Sequence, residues 1–150
     1  MPLFIHNYIA PERIQLLESA TKTEAIDALV DAIGRNGPVS DLEAFRKSVH
    51  DRERVVSTGI GLGVAVPHAK VDSVSEFFVA IGLSAAGIDW DAIDQQPVRL
   101  VFLIGGPVND QQTYLQILSK IVLVIKSQKL RENLLAAQDP AEVMTVLSEV

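Results

Sequence analysis

Apolar residues recur along this chain in two rhythms, one helical and one extended. Ala25, Ile26, Leu29, Val30 and Ile33 fall on one face of a 3.6-residue period, and the pattern stops at Asn36-Gly37-Pro38, predicting an amphipathic helix over 21–36. Ser40-Asp41-Leu42-Glu43 has the form of a capping box, and Leu42, Phe45 and Val49 carry an apolar stripe to about Arg52, predicting a second helix over 40–52. From Asp110 onward Leu115, Leu118, Val122 and Ile125 repeat at helical spacing, widened by Tyr114, Ile117, Ile121 and Val124. A helix apolar on so much of its circumference is expected to be packed on more than one side. A short helix follows over 129–137, and Asp139-Pro140-Ala141-Glu142 opens the last one with an N-cap, a proline at the first helical position and an acid at the third.

The extended rhythm occupies the middle of the chain. Residues 76–83 (EFFVAIGL) and 98–104 (VRLVFLI) are short runs rich in β-branched and aromatic residues, bounded by Gly and Pro, and read as buried strands. Gly87-Ile88-Asp89-Trp90 between them reads as a further edge strand. Upstream, 57–63 is a glycine-punctuated loop, followed over 64–68 by a short apolar strand stopped by Pro67. Strands that are apolar throughout, set among helices, predict an α/β layer with helices on both faces. No repeat, low-complexity tract or flexible linker interrupts the pattern, so 1–150 reads as a single domain.

Composition narrows the chemistry. The chain has 150 residues, about the modal size of one domain, and 48% are hydrophobic. The absence of cysteine removes thiol nucleophiles, thiolate zinc and iron–sulfur sites, and fits a cytoplasmic protein. A formal charge of -6 argues against nucleic acid and against a basic membrane-surface role, since both depend on cationic attraction to phosphates. The N-terminal Met1-Pro2-Leu3-Phe4 lacks the basic-then-apolar form of a leader, and the run over 121–125 is far below the ~20 residues a bilayer requires.

Candidate chemistry concentrates between Arg52 and Lys70. Gly59, Gly61 and Gly63 are followed by a strand and a proline rather than a helix, which excludes a dinucleotide fingerprint, and there is no P-loop, HExxH or GxSxG pattern. His6, His50 and His68 are too far apart to suggest metal ligation. What remains is His68, after a strand and a proline and downstream of a loop rich in donors. Glycines admit backbone N–H groups close to an anion, Ser57 and Thr58 offer hydroxyls, and a neutral imidazole is a nucleophile near pH 7. The competing interpretation is a glycine turn leading into a core edge, with Arg52 a solvated cation beside Asp51 or Glu53.

The residues themselves carry a resemblance. Arg52-Glu53, Ser57-Thr58-Gly59-Ile60-Gly61 and Gly63-Val64-Ala65-Val66-Pro67-His68-Ala69-Lys70 resemble the signature of the enzyme IIA components of the bacterial phosphotransferase system, of the fructose, mannitol and nitrogen-regulatory type. Trp90-Asp91-Ala92-Ile93-Asp94-Gln95-Gln96-Pro97-Val98 and Leu134-Leu135-Ala136-Ala137 extend it over nearly the whole chain. The resemblance implies a mixed β-sheet flanked by helices, and phosphorylation of His68 on a ring nitrogen by HPr or a relative of it. It further implies that Arg52 coordinates the phosphoryl group and that Ser57 and Thr58 are the loop hydroxyls. Transfer between two imidazoles leaves charge on three equatorial oxygens, which a guanidinium and fixed donors stabilise without cofactor or metal. Many members carry a second histidine in a His-Leu pair where this chain has Tyr114-Leu115, so Tyr114 stands in its place as a single hydrogen-bond donor. Leu62 stands where some sugar-type members are polar or acidic.

The expectation is therefore a cytoplasmic phosphocarrier that accepts phosphate on His68 from an HPr-like protein. It then passes the group to a IIB component or signals to a regulated protein. The single domain, without a fused IIB or membrane segment, inclines toward the nitrogen-regulatory role. The rival is a binding module of the same fold that has lost efficient phosphotransfer.

Overall fold

Alternation along two long strands divides one apolar stretch between two cores. The computed structural model describes residues 3–18 and 21–150, so Met1 and Pro2, the start of the stretch weighed as a leader, lie outside the described residues. In chain order these form β1 (Ile14–Leu16), α1 (Lys22–Asn36), α2 (Leu42–Val55), β2 (Gly59–Gly61), β3 (Val64–Ala65), β4 (His68–Lys70), β5 (Phe78–Ile88), β6 (Val98–Gly106), α3 (Gln111–Lys126), α4 (Gln128–Ala136) and α5 (Pro140–Val146). The antiparallel pair β5–β6 is the centre of the sheet. Val79, Ile81 and Leu83 join Leu100, Phe102 and Ile104 on one face, beneath Ile117, Ile121 and Val124 of α3, Leu134 of α4 and Val143 of α5. Phe78, Ala80, Val101 and Leu103 face the other way, onto Ile26, Leu29 and Ile33 of α1 and Phe45 and Val49 of α2. A strand buried on both faces needs no polar positions, which is why the sequence there is apolar without a break.

The sheet is mixed, in the order β1-β5-β6-β3-β2, with β4 also parallel to β6 beyond β3. The α/β expectation holds, with helices on both faces. Among the described residues no helix is long and apolar enough to cross a membrane.

Several boundaries differ from the sequence-based expectation, each for a physical reason. The cap of α2 is Asp41 rather than Ser40: its carboxylate accepts from Ala44 N–H at 3.1 Å, and the helix continues to Val55. The strand expected over 64–68 is split at Val66-Pro67, because proline has no N–H for the ladder; β4 starts afresh at His68. The glycine run is mostly a hairpin, β2 pairing antiparallel with β3. Leu62 and Gly63 turn it with φ of 59° and 76°, the two left-handed residues a tight hairpin requires. The edge strand expected at 87–90 is not separate: β5 runs on through an irregularity until Ile88 pairs with Val98, and Trp90 leaves the sheet to become fully buried. β1, only three residues long, has no period a sequence could reveal. Nor is α3 packed on more than one side as its wide apolar circumference suggested: it buries one face, through Ile117, Ile121, Val124 and Ile125, while Leu115 and Leu123 are exposed, since a helix lying on one face of the sheet has solvent on its other side.

Candidate functional site

His68 is the first residue of β4, opposite Ile104 of β6. Its neighbour Ala69 is buried in the core under α1 and α2, so two-residue alternation directs His68 and Lys70 to the opposite face, where α3 begins. The imidazole Nδ1 lies 3.0 Å from the Val66 carbonyl oxygen. A carbonyl only accepts, so Nδ1 is the donor here and, among the described residues, Nε2 is the ring nitrogen left without a protein partner.

His68 lines a cleft of about 200 Å³ together with Arg52, Ser57, Thr58, Ile60, Val66, Tyr114 and Leu118. All five residues singled out from the sequence thus meet in one place. Arg52 comes from the last turn of α2, where its cation also suits the helix C-terminus, and its Nη1 donates to the Val56 carbonyl at 3.0 Å. Among the described residues it has no carboxylate partner. Asp51 is occupied by Lys47 and Arg54, and Glu53 by Lys22, so the surface-pair interpretation of Arg52 does not hold. A partly buried guanidinium without a counter-ion is suited to an anionic ligand.

The two hydroxyls expected to face a phosphoryl group are instead committed within the fold. Ser57 donates to the Trp90 carbonyl at 2.8 Å and accepts from Gly59 N–H at 3.1 Å. Thr58 is buried; its hydroxyl donates to Glu53 Oε1 at 2.5 Å and accepts from Trp90 Nε1–H at 3.2 Å. Thr58 N–H donates to Glu53 Oε2 at 2.8 Å, and Lys22 Nζ reaches the same oxygen at 3.2 Å. Gly59 belongs to this framework too. A Cβ there would lie 2.7 Å from the Ala92 Cβ, so the glycine admits the 90–92 segment. That segment closes over the hairpin through Ile93 N–H to the Gly59 carbonyl (3.0 Å) and Leu62 N–H to the Asp94 carboxylate (3.1 Å).

Glu53 is the residue that sequence reasoning passed over. The signal was present: Phe45, Val49 and Glu53 are spaced four apart, so Glu53 falls on the buried stripe of α2. An acid at a core position requires donors, and here it has three.

Tyr114, on the first turn of α3, places its ring centroid 5.9 Å from that of His68 and 6.5 Å from that of Phe77. Burial pushes the phenol above its ordinary pKa and the Arg52 charge opposes this, so Tyr114 is neutral at pH 7. Among the described residues its hydroxyl has no protein partner, and it does not hydrogen-bond the imidazole. Lys70 Nζ sits 4.5 Å from the Tyr114 ring centroid and donates to Gln111 Oε1. His50, outside the cleft, pairs with Asp27 at 2.9 Å in a larger groove between α1 and α2. Of the cleft lining Ile60 is an exposed apolar side chain; Val55, Val56 and Leu62, close to it along the chain, are exposed as well, while Val64 is fully buried.

Residues 7–150 match the family described as phosphoenolpyruvate-dependent sugar phosphotransferase system, EIIA 2. The PTS system fructose-specific EIIA component of Haloferax volcanii is 40% identical over 144 residues, covering 95% of this chain and 94% of that protein. The fructose-specific EIIABC component of Bacillus subtilis is 33% identical over 133 residues, 89% of this chain but only 21% of that longer protein. In structure, the nitrogen regulatory protein IIA-Ntr from Neisseria meningitidis superposes with a TM-score of 0.88 at 26% identity, over 95% of this chain and 98% of that one. Matched by the family model over residues 7–150, and 40% identical to a member over nearly the whole length of both chains, the chain belongs to the phosphotransferase-system EIIA type-2 family and is a phosphotransferase.

Proposed function

We propose that His68 is the phosphoryl acceptor, that it reacts through Nε2, and that this chain carries phosphate from an HPr-like donor to a IIB component in sugar uptake. The observation that carries the reading is the lock between His68 Nδ1–H and the Val66 carbonyl, beside an Arg52 that has no carboxylate partner among the described residues. In transfer the Nε2 lone pair forms a bond to phosphorus while the P–N bond to the donor's histidine breaks, its electron pair returning to the donor's ring. The ring that results retains the Nδ1 proton and gains positive character, which the Val66 carbonyl offsets. Arg52 stabilises the equatorial oxygens, and Tyr114 is available as a further donor. Ser57 and Thr58 contribute by holding the hairpin and the end of α2 in register with the imidazole. The exposed side chain of Ile60 at the cleft, with Leu62 exposed on the turn of the same hairpin, suits a small, short-lived contact with a partner that must bring its own histidine to the cleft.

The 40% identity to a protein named fructose-specific supports a sugar-uptake role, against the nitrogen-regulatory inclination of the sequence alone. The second reading, phosphorylation-dependent regulation, is favoured by the 0.88 TM-score to a nitrogen regulatory protein. The test is incubation with phosphoenolpyruvate, enzyme I and HPr, followed by addition of a fructose-class IIB domain. One acid-labile phosphoryl unit on His68, lost in His68→Ala and discharged onto the IIB domain, supports the reading. Labelling elsewhere refutes the acceptor assignment, and labelling without discharge favours the regulatory role. Failure of any labelling leaves the non-catalytic module.

A further inference from the structure

We propose that Lys70 is a positioning residue for phosphoryl transfer that acts through Tyr114, the two side chains together supplying a hydrogen-bond donor and a positive charge beside His68. The inference rests on the reading of His68 as the phosphoryl acceptor.

Three observations carry it. First, His68 and Lys70 share one face of β4, since Ala69 between them is buried on the other, and both reach the same aromatic ring. Second, the Lys70 ammonium is fixed at two points. It lies 4.5 Å from the Tyr114 centroid, well inside the ~6 Å range of a cation–π contact, and it donates to Gln111 Oε1 on the same turn of α3. Third, Lys22 and Lys47 pair with acids, whereas among the described residues Lys70 has no carboxylate partner, so no neighbouring acid offsets its charge at the ring.

A neutral phenol offers one donor and no charge. A cation against its ring draws electron density from the π system and makes the O–H a stronger donor, and it keeps the ring from turning away. Among the described residues the Tyr114 hydroxyl has no acceptor of its own, which leaves it for a phosphoryl oxygen on His68.

The experiment measures single-turnover labelling of His68 from phosphorylated HPr in Lys70→Met, Lys70→Arg, Tyr114→Phe and the Lys70→Met/Tyr114→Phe double variant. Lys70→Met retains the aliphatic stem. It should slow transfer roughly three- to tenfold at saturating donor with little change in the donor concentration at half-maximal rate, and Lys70→Arg should recover most of the loss. In the Tyr114→Phe background the same Lys70→Met change should alter the rate less than about twofold, because the hydroxyl it acts through is gone. An equal loss in both backgrounds, or a loss confined to donor affinity and abolished by salt, would make Lys70 an independent contact and overturn the proposal. So would a wild-type rate in Lys70→Met. If the wild-type protein takes no label on His68, the phosphocarrier reading falls first and this inference with it.

Discussion

Replacing Thr58 by Val removes one oxygen from the centre of the network behind the cleft and leaves shape almost unchanged. That oxygen donates to the buried Glu53 carboxylate at 2.5 Å and accepts from the Trp90 indole at 3.2 Å. A hydrogen bond to a charged group is worth about 1.5–3 kcal/mol, and leaving the indole N–H without an acceptor adds about 1–3 kcal/mol. The extra buried methyl returns at most about 0.8 kcal/mol. A net loss of about 3 kcal/mol is the central expectation, which lowers the melting temperature of a domain this size by roughly 6–12 °C. Trp90 is the only tryptophan, so its fluorescence reports both unfolding and the network itself. Phosphorylation per folded molecule, measured well below the transition, should fall less than about threefold, and Thr58→Ser should behave nearly as wild type. If Thr58→Val melts within a degree of wild type, the network does not stabilise the fold; if it loses tenfold or more in transfer while remaining stable, the hydroxyl contacts the phosphoryl group; either result refutes the structural reasoning.

Three other outcomes follow from the same geometry. Arg52→Lys retains a charge but loses the planar fork, so transfer should slow by at least about tenfold if the contact is worth ~1.4 kcal/mol, with Arg52→Ala slower still and neither shifting the melt by more than a degree or two. Gly59→Ala places a methyl against Ala92 and should cost about 1–3 kcal/mol, read as a lower denaturant midpoint; an unchanged midpoint would show that the 90–92 segment yields freely. Burial pushes the Asp27 carboxyl up, but hydrogen bonds and charge from His50 and Arg46 outweigh it, so its folded pKa lies below the unfolded value of about 3.9. The stability this provides is present above that unfolded value and is lost as pH falls through the folded one, because the unfolded chain then binds the proton more readily. Denaturant midpoints measured between pH 5 and pH 3 should therefore fall less steeply in Asp27→Asn than in wild type.

The buried ion network explains why the cleft is well defined despite its short elements. β2, β3 and β4 are each two or three residues long and would not hold a geometry alone. Glu53 connects the end of α2 to the start of β2 through both the N–H and the hydroxyl of Thr58, and to α1 through Lys22. Breaking a buried charge pair by removing one partner is costly because the other is left uncompensated, which makes this network a strong constraint on where Arg52 and the hairpin sit.

What the sequence determined by itself was whatever depends on neighbours along the chain. The 3.6-residue stripe of α1, the helical spacing of α3, the proline and acid that open α5, and the apolar runs of β5 and β6 are local signals, and they appeared as helices and strands, although β5 runs on to Ile88. The signature from Arg52 to Lys70 was also legible, because its glycines, proline and histidine are close in sequence. How those residues use their polar groups was settled by packing between segments distant in the chain. Nothing along the chain reveals that Thr58 and Ser57 face Glu53 and Trp90, since Trp90 comes from a segment more than thirty residues downstream that folds back over the hairpin. Nor does it reveal that Tyr114, on another layer of the fold, is set between His68 and the charge of Lys70. Periodicity records which residues are buried; the partner that each buried donor and acceptor finds is settled only when distant segments pack, because a hydrogen bond depends on separation in space and not on separation in sequence.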